Sequence, residues 1–401
     1  MRSLVLKTIV VVSLVALLFS CIEEFSVKKG VSQMNSEIVI QGRILSENES
    51  VIYVSRTQPF GSQEMADTIS DAKVFIIGQN GYQSETAKFD TENNCYLIDT
   101  KHLLTDTYYA LQVEIGNEIY QSEFLSLQST PEIENVTYKE RMDGISIHVS
   151  SQNNDEGSQY YMWTYEEDWE FHAPVDFLGV QGIPVYSKSF YPLGWVNNMN
   201  PYLYCWGHEN SSEISLYSTK DLDMNIVKNH ELLRIPIDDI RISYIYSVTV
   251  KQFSISEEAY NYYHQLELLT EENSGLFSPM PIELVGNVKC ISNPSIKVRG
   301  YVLASNVKTK RLFVYESDFK EIHSEYDSGC IVETPDPFTN VWQYVWEQNI
   351  AKNGFVAITK DGYIHGNDYL WNKLYHRTCV DCRAVKGATK KRPDFWPNNH
   401  E

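Results

Sequence analysis

The stretch EIVIQGRIL at residues 37–45 carries the pattern that decides the fold of this chain. Its apolar side chains alternate around Ile38, Ile40 and Ile44, which is the period of two expected for a strand with one buried face. Similar short segments follow at intervals of about 8–12 residues, separated by Gly and Asn turns. They are residues 51–57, 73–77, 95–99, 108–115 and 119–124. The pattern predicts an N-terminal β-sandwich, immunoglobulin-like or transthyretin-like, over residues 37–130.

Residues 131–401 are predicted to form a larger, β-rich α+β domain with one prominent helix, after a boundary at Ser129-Thr130-Pro131. Ser254 and Glu257 match a capping box at the start of that helix. An apolar stripe at helical spacing follows and predicts that His264 packs in a core. The stripe is Tyr260, Tyr263, His264, Leu266 and Leu269. Strands are predicted at 133–140, 144–150, 160–171, 213–218, 240–253, 282–288, 298–305 and 311–315, and a second short helix at 340–350.

The first 24 residues have the order of parts of a secretory signal: a basic start, an apolar run from Ile9 to Phe19, and an acidic step after Cys21. Leu18-Phe19-Ser20-Cys21 resembles a bacterial lipobox, although Phe19 departs from its preference for a small residue. We therefore expect residues 1–20 to be a lipoprotein signal peptide, Cys21 to be lipidated, and residues 21–36 to be a tether. An ordinary signal peptide that leaves a free thiol is the alternative.

Composition limits the classes of partner. The chain has 33 Lys and Arg against 53 Asp and Glu, a net charge of −20. This excess of negative charge argues against nucleic acid and against electrostatic adhesion to anionic lipid. A hydrophobic content of 43% with 27 tyrosines argues against a disordered chain.

Six cysteines remain after Cys21, and an even number in an exported protein predicts disulfides. We expect the C-terminal pair Cys379 and Cys382 to be tied to Cys330, because so polar a tail needs a covalent link. Cys205 and Cys290 are the other disulfide candidates. A zinc site formed by Cys330, Cys379, Cys382 and His376 is the alternative that the spacing of Cys379 and Cys382 leaves open.

The sequence offers no catalytic motif, cofactor or metal site, and we expect the protein not to be an enzyme. Glu166-Glu167-Asp168 has the residue types for acid/base catalysis, but a run of charges is typical of a solvated face. The irregular segment 172–210 is rich in aromatic residues, which line ligand or partner surfaces in many proteins. The residues proposed for such a surface are Tyr186, Tyr191, Trp195, Tyr204 and Trp206. Filling of a core is their alternative role.

Several short motifs, taken in order, carry a resemblance to a family of Bacteroidetes outer-membrane lipoproteins known as domain of unknown function 4249. In the first body they are IVIQG at 38–42, VSR at 54–56, DAKV at 71–74, YYAL at 108–111 and YQS at 120–122. In the second they are CW at 205–206, YSVTVKQF at 246–253, SGLF at 274–277, GNV at 286–288, GY at 300–301, KR at 310–311, CVDCR at 379–383 and KRPDFWP at 391–397. The resemblance transfers no catalytic residue.

This resemblance implies a lipoprotein of the outer membrane, facing the cell exterior and encoded beside a TonB-dependent β-barrel transporter. Glu23 and Glu24 resemble the acidic signal that sends such lipoproteins to the cell surface. The function expected is ligand or nutrient capture as an accessory of that transporter. A structural or adhesive surface protein is the first alternative, and a hydrolase acting at the cell surface is the second.

Overall fold

The structure is a computed structural model of the chain and describes residues 36–58, 67–153, 157–175, 182–185, 203–211, 213–271, 284–330, 332–333, 356–359 and 373–397. These residues are mainly β, with 23 strands in four sheets. The sequence predicted this fold class correctly. Cys21, Tyr186, Tyr191, Trp195 and the helix predicted at 340–350 lie outside the described residues.

The strands of the described residues form sheets of 11, five, three and four strands. The 11-stranded sheet contains β1 (Ile38–Ser46), β2 (Glu49–Arg56), β3 (Asp67–Thr68), β5 (Lys88–Asp90), β6 (Cys95–Asp99), β12 (Tyr160–His172), β14 (Tyr204–Asn210), β15 (Ser215–Ser218), β17 (Ile245–Ser254), β19 (Val298–Arg299) and β20 (Val302–Tyr315). The five-stranded sheet contains β4 (Lys73–Gly78), β7 (Tyr108–Ile115), β8 (Glu118–Ser122), β9 (Leu125–Ser126) and β18 (Val288–Cys290). The three-stranded sheet contains β10 (Ile133–Arg141), β11 (Gly144–Gln152) and β16 (Ile226–Pro236). The four-stranded sheet contains β13 (Gly182–Val185), β21 (Val332–Glu333), β22 (Val356–Thr359) and β23 (Lys373–His376).

The helical elements are α1 (Glu257–Glu271), the short α2 (Arg377–Val380) and three 3-10 turns, η1 (Ile240–Ile242), η2 (Glu316–Asp318) and η3 (Cys382–Ala384). Within the described residues, α1 is the one helix longer than four residues. The first five residues predicted as the long strand 240–253 form η1 and the turn after it. There Asp239 caps η1 through its side chain, which accepts from the amide of Arg241.

The first sandwich is not built from a continuous stretch of chain. Residues 38–126 supply most of it, but β18 pairs with β8, and β19 and the start of β20 pair with β1. Val288, Cys290, Val302 and Ala304 are buried in the same core as Ile40. The structure therefore differs from the predicted division at residue 130, because a segment about 160 residues later completes both sheets of the sandwich.

Strand β20 carries the chain from the first sandwich to the second. Its first five residues pair with β1 in parallel, and residues 307–315 pair with β17 antiparallel. Gly300, with φ +100°, separates β19 from β20, so the strand predicted at 298–305 is interrupted there. A side chain at this position would meet the carbonyl oxygen of Ile40 at 2.1 Å, which explains the glycine.

The buried side chain of Thr130 fastens this junction. Its hydroxyl donates to the carbonyl oxygen of Asn306 at 2.8 Å and accepts from the amide of Ser254 at 2.9 Å. The Thr130 amide in turn donates to the Asn306 side chain at 2.6 Å. Thr130 is the residue at which the sequence predicted a boundary, and in the structure it connects β20 at Asn306 to the end of β17 at Ser254.

The second sandwich uses the other half of the long sheet. β12, β17 and the end of β20 pack against the three-stranded sheet around a core that contains Trp163, Tyr246 and Ile147. On the opposite face, α1 packs Ala259 and Tyr262 against Met162 and Phe253. One continuous sheet thus backs two smaller sheets, and the helix lies across the junction between them.

Two predictions about the helix were wrong in detail. The capping residue is Ser256, whose hydroxyl accepts from the amide of Ala259 at 3.2 Å, whereas Ser254 ends β17. His264 is exposed on the helix surface, where it meets Glu267 at 3.4 Å, and is not a core histidine. The buried residues of α1 are Ala259 and Tyr262, and Tyr260 and Tyr263 of the predicted stripe are partly buried against the same core.

Candidate functional site

Four of the five residues 166–170 on the central strand β12 are acidic. Strand alternation directs Glu167 toward the second core and Glu166, Asp168 and Glu170 toward the face that also carries α1. Glu167, Asp168 and Glu170 are buried, so the prediction of a solvated run was wrong. Burying a carboxylate is costly unless a cation or several donors meet it, and each of these carboxylates has such a partner.

Glu167 is held from within the core. Nη1 of Arg241 lies 2.9 and 3.1 Å from its two oxygens, and the Tyr246 hydroxyl donates to it at 2.7 Å. Burial raises the pKa of the Glu167 carboxyl, while the charge of Arg241 opposes that rise. Arg241 is also paired with Asp239 at 2.7 Å, so this network joins η1 to the sheet. Its position inside the core gives it a structural role.

The other face carries a group that we call the polar band: Glu166, Asp168, His208, Lys251 and Arg311. Nδ1 of His208 lies 2.8 Å from Oδ1 of Asp168, and Nη1 of Arg311 lies 3.4 Å from Oδ2. Glu166 pairs with Lys251. The register of β14, β12, β17 and β20 sets these side chains side by side on four neighbouring strands.

In the polar band His208 and Arg311 are more accessible than Asp168, while Glu166 and Lys251 are equally exposed at 33%. The His208 side chain is 51% exposed and that of Arg311 27%, against 8% for Asp168. Among the described residues, Nε2 of His208 has no hydrogen-bond partner, so this nitrogen faces solvent as a free donor or acceptor. The band can therefore offer hydrogen bonds and positive charge to a ligand while Asp168 orients the imidazole and the guanidinium.

The C-terminal tail closes one end of the polar band. The indole N–H of Trp396 donates to the fully buried Glu170 at 2.7 Å, and His172 meets the other oxygen of Glu170 at 3.0 Å. The guanidinium carbon of Arg311 lies 3.3 Å from the ring centroid of Phe395, which is itself 43% exposed. An exposed aromatic ring thus borders the band at this end, and α1 borders it at the other.

The two described members of the predicted aromatic surface belong to one cluster on β14 and differ in burial. Trp206 is buried with Ile245 and Trp396 under the tail, where its backbone bonds Thr389 in both directions. It fills a core, so its prediction as a surface residue was wrong. Tyr204 is half-buried with its ring edge-on to His172 at 4.6 Å. The reason for the difference is the tail, which covers the strand β14 at Trp206.

Two disulfides confirm that the tail is covalently linked. Cys330 bonds Cys379, and Cys205 bonds Cys382 across 177 residues. The neighbouring tail cysteines thus have different distant partners, which leaves no thiolates there for zinc. Cys290 is free and buried in the first core, so the prediction of a disulfide there was wrong. Cys95 is also free and buried.

Sequence reasoning did not identify His208, Arg311 or Trp396 as members of a site. One signal was present in the sequence. The acidic run lies inside a strand, residues 160–172, whose other residues are largely aromatic, and this composition predicts that both faces of the strand are buried. Buried acids require cations or hydrogen-bond donors, and His208 and Trp396, which meet Asp168 and Glu170, are 40 and 226 positions away from them. Within the described residues, no cluster of three His, Cys, Asp or Glu side chains is arranged to bind a metal ion.

Comparison with known proteins gives one match. A family model described as "Domain of unknown function (DUF4249)" matches residues 22–311. The match ends at Arg311, so the tail motifs at 379–383 and 391–397 lie beyond it. No curated protein matches the chain. In the part of the chain that the structure describes, no helix has the length and apolar character needed to cross a bilayer.

Proposed function

Since the chain belongs to the family described as domain of unknown function DUF4249, we propose that it is a surface-exposed, lipid-anchored outer-membrane protein that binds ligand as an accessory of a TonB-dependent transporter. Cys21 is the lipidated residue in this proposal, and residues 21–36 are the tether. The support from sequence is the lipobox-like end of the apolar run and the acidic step after it.

The observation that carries the proposal is the direction of β20. The described chain enters the first sandwich at the start of β1, which lies beside the start of β19. β20 runs parallel to β1 and continues beyond it, so Arg311 lies about 30 Å along the strand from Val302 at about 3.3 Å per residue. A tether at one end and the polar band toward the other is the arrangement that a surface capture protein needs.

The polar band is the ligand contact in this proposal. It combines a half-exposed imidazole, a guanidinium and an exposed aromatic ring, those of His208, Arg311 and Phe395. Such a combination suits a ligand with hydrogen-bonding groups and a flat face, since rings stack on aromatic side chains while donors fix orientation. Ligand capture is favoured over hydrolysis because His208 has no hydroxyl or thiol partner among the described residues.

Affinity purification from detergent-solubilised membranes of the producing cell tests the accessory role. We expect co-recovery of a β-barrel transporter in a constant ratio to the protein. Recovery of the protein alone after mild solubilisation and after cross-linking would contradict the accessory role and favour a structural or adhesive protein. Cys21→Ser is the matched control, since it is expected to move the protein to the soluble fraction.

A second measurement separates ligand binding from partner binding. His208→Ala removes the exposed imidazole but leaves the contact between Arg311 and Asp168, so the variant is expected to keep the transporter and lose ligand-dependent growth or uptake. Gln265, exposed on the far surface of α1, offers a control substitution to Ala. Equal uptake by His208→Ala and Gln265→Ala would show that the polar band is not part of the binding site.

A further inference from the structure

The end of the first sandwich where the described chain begins is well defined by strand register. Ile38 pairs with Val298 in a parallel ladder, so the residues that precede both strands lie at the same end. Nε of Arg299 lies 2.6 Å from the Glu37 carboxylate, and its Nη1 lies 3.3 Å from the carbonyl oxygen of Leu284. We call this end, with the loop 291–297 and the turn 116–117, the tether end.

A groove of about 500 Å³ begins at the tether end and runs beside β18, with Ile291 after that strand at the tether end and Val285 before it. Its lining is largely apolar, with lysines at the edge. The lining residues used here are Leu284, Val285, Lys289, Ile291, Ile296 and Lys297. Val285 is 76% exposed and Ile291 53%, so two large aliphatic side chains project from its rim into solvent. Exposed aliphatic groups side by side with lysines are typical of surfaces that meet the interface of a membrane.

The length of chain between Cys21 and Glu37 decides what can cover this groove. Fifteen residues lie between them. Fifteen residues span about 20–25 Å as a random coil and at most about 50 Å when extended. The tether end therefore stays within about 50 Å of the anchored Cys21, whereas β20 directs the second sandwich away from it.

We propose that the tether end rests on the outer-membrane lipid surface, with Val285 and Ile291 in contact with acyl chains and Lys289 and Lys297 at the level of the headgroups. This inference rests on the proposed function, because it needs the lipid anchor at Cys21. Removing these aliphatic side chains from water favours the contact.

Charge contributes little to this contact. Lys289 is paired with Glu123 at 3.3 Å, and Glu118 lies on the adjoining strand, so the groove rim has no large excess of positive charge. The chain as a whole is strongly negative. We therefore expect the lipid contact to persist at high salt, unlike adhesion through a basic surface.

Depth-dependent fluorescence quenching tests the proposal. The lipidated full-length protein, with an environment-sensitive dye at Ile291→Cys, is reconstituted into phosphatidylcholine vesicles with and without acyl-chain quenchers. Leu222→Cys, 46% exposed in the second sandwich, is the matched control. The unsubstituted protein corrects for labelling of the buried Cys95 and Cys290. We expect at least threefold stronger quenching at 291 than at 222, at both low and high salt. Equal quenching at the two positions would overturn the proposal.

A second variant and a flotation assay complete the test. Val285→Glu, in the protein labelled at 291, is expected to lower quenching at least twofold, and unchanged quenching would count against lipid contact. Flotation with vesicles tests the anchor independently. Failure to float, with Cys21 unmodified by mass, would overturn the proposed anchoring. Flotation with no quenching at 291 would overturn the inference alone.

Discussion

The indole nitrogen of Trp396 donates to the Glu170 carboxylate at 2.7 Å, although 226 residues separate them. Glu170 has no exposed surface. The tail thus supplies the donor that allows an acid to be buried in the central strand, and it also covers Trp206 and borders the polar band. Stability of the second sandwich and the shape of the candidate site therefore depend on the same short C-terminal segment.

Removing that donor is expected to destabilise the protein. Trp396→Phe keeps the aromatic ring but leaves one oxygen of a buried carboxylate without its partner, at a cost of about 1–3 kcal/mol in the free energy of unfolding. Urea unfolding followed by tyrosine and tryptophan fluorescence gives this value. Phe395→Leu, at the exposed neighbour, is the control and is expected to cost less than about 1 kcal/mol. A cost for Trp396→Phe no larger than the control would contradict a stabilising bond to Glu170.

The hydrogen bonds of the Thr130 hydroxyl predict a second effect on the free energy of unfolding. Thr130→Val preserves the shape of the side chain but removes the hydroxyl that serves Asn306 and Ser254, and we expect a loss of about 1–3 kcal/mol. Thr130→Ser retains the hydroxyl and is expected to lose less. Differential scanning calorimetry measures both variants. A loss for Thr130→Val no larger than about 0.5 kcal/mol would contradict a stabilising role of the hydroxyl at this junction.

The two disulfides predict which cysteines are covalently linked in the purified protein. Peptide mapping without reduction should recover Cys205 linked to Cys382 and Cys330 linked to Cys379, with Cys95 and Cys290 alkylated only after unfolding. A link between Cys379 and Cys382 would refute this pairing. The double variant Cys205→Ala, Cys382→Ala is expected to lose about 2–5 kcal/mol because the bond closes a long loop. Cys290→Ala, which breaks no disulfide, is the control for loss of a buried sulfur.

Ser254 and Ser256, near the start of α1, have different roles. Ser256→Ala removes the cap on the Ala259 amide and should cost about 1 kcal/mol. Ser254→Ala should stay within about 0.5 kcal/mol or stabilise, since its buried hydroxyl has no partner among the described residues. Urea midpoints of the two variants measure the contrast. The reverse order would place the cap at Ser254, as the sequence alone predicted.

The pH dependence of stability contains a contribution from His230. Burial lowers the pKa of His230 from 6.5, and the neighbouring His148 lowers it further while Glu231 opposes them. The unfolded chain therefore binds the proton first as pH falls below about 6.5, so stability is present above that pH and is lost during acidification. Each unit of difference in pKa is worth about 1.4 kcal/mol.

His230→Gln is expected to reduce this loss, because it retains a polar contact for Ser215 without a titrating group. Unfolding midpoints between pH 7.5 and 5.5, an experimental window of about two pH units around the ordinary histidine value, give the comparison. His264→Gln, at an exposed position on α1, is the matched control for replacing a histidine by glutamine. Parallel slopes for the parent and His230→Gln would contradict a lowered pKa.

Local pattern was sufficient for part of this structure. The alternation in EIVIQGRIL and its successors predicted strands that the structure shows at 95–99 and 108–115 with the same bounds, and the spacing after Ser256 predicted the one long helix. These features depend on neighbouring residues in the chain, whose side-chain period is set by the backbone itself. The lipobox-like motif at 18–21 and the family resemblance are likewise properties of short segments.

What only the tertiary structure decided depends on residues far apart. The return of 288–306 to the first sandwich, the partners of Cys379 and Cys382, and the covering of Trp206 all join segments that carry no local sign of one another. The acidic run is the clearest case. Its charges alone predict solvent, and only the arrival of Arg241, His208, Arg311 and Trp396 makes burial possible, because the free energy of a buried charge is set by its partners and not by its own sequence.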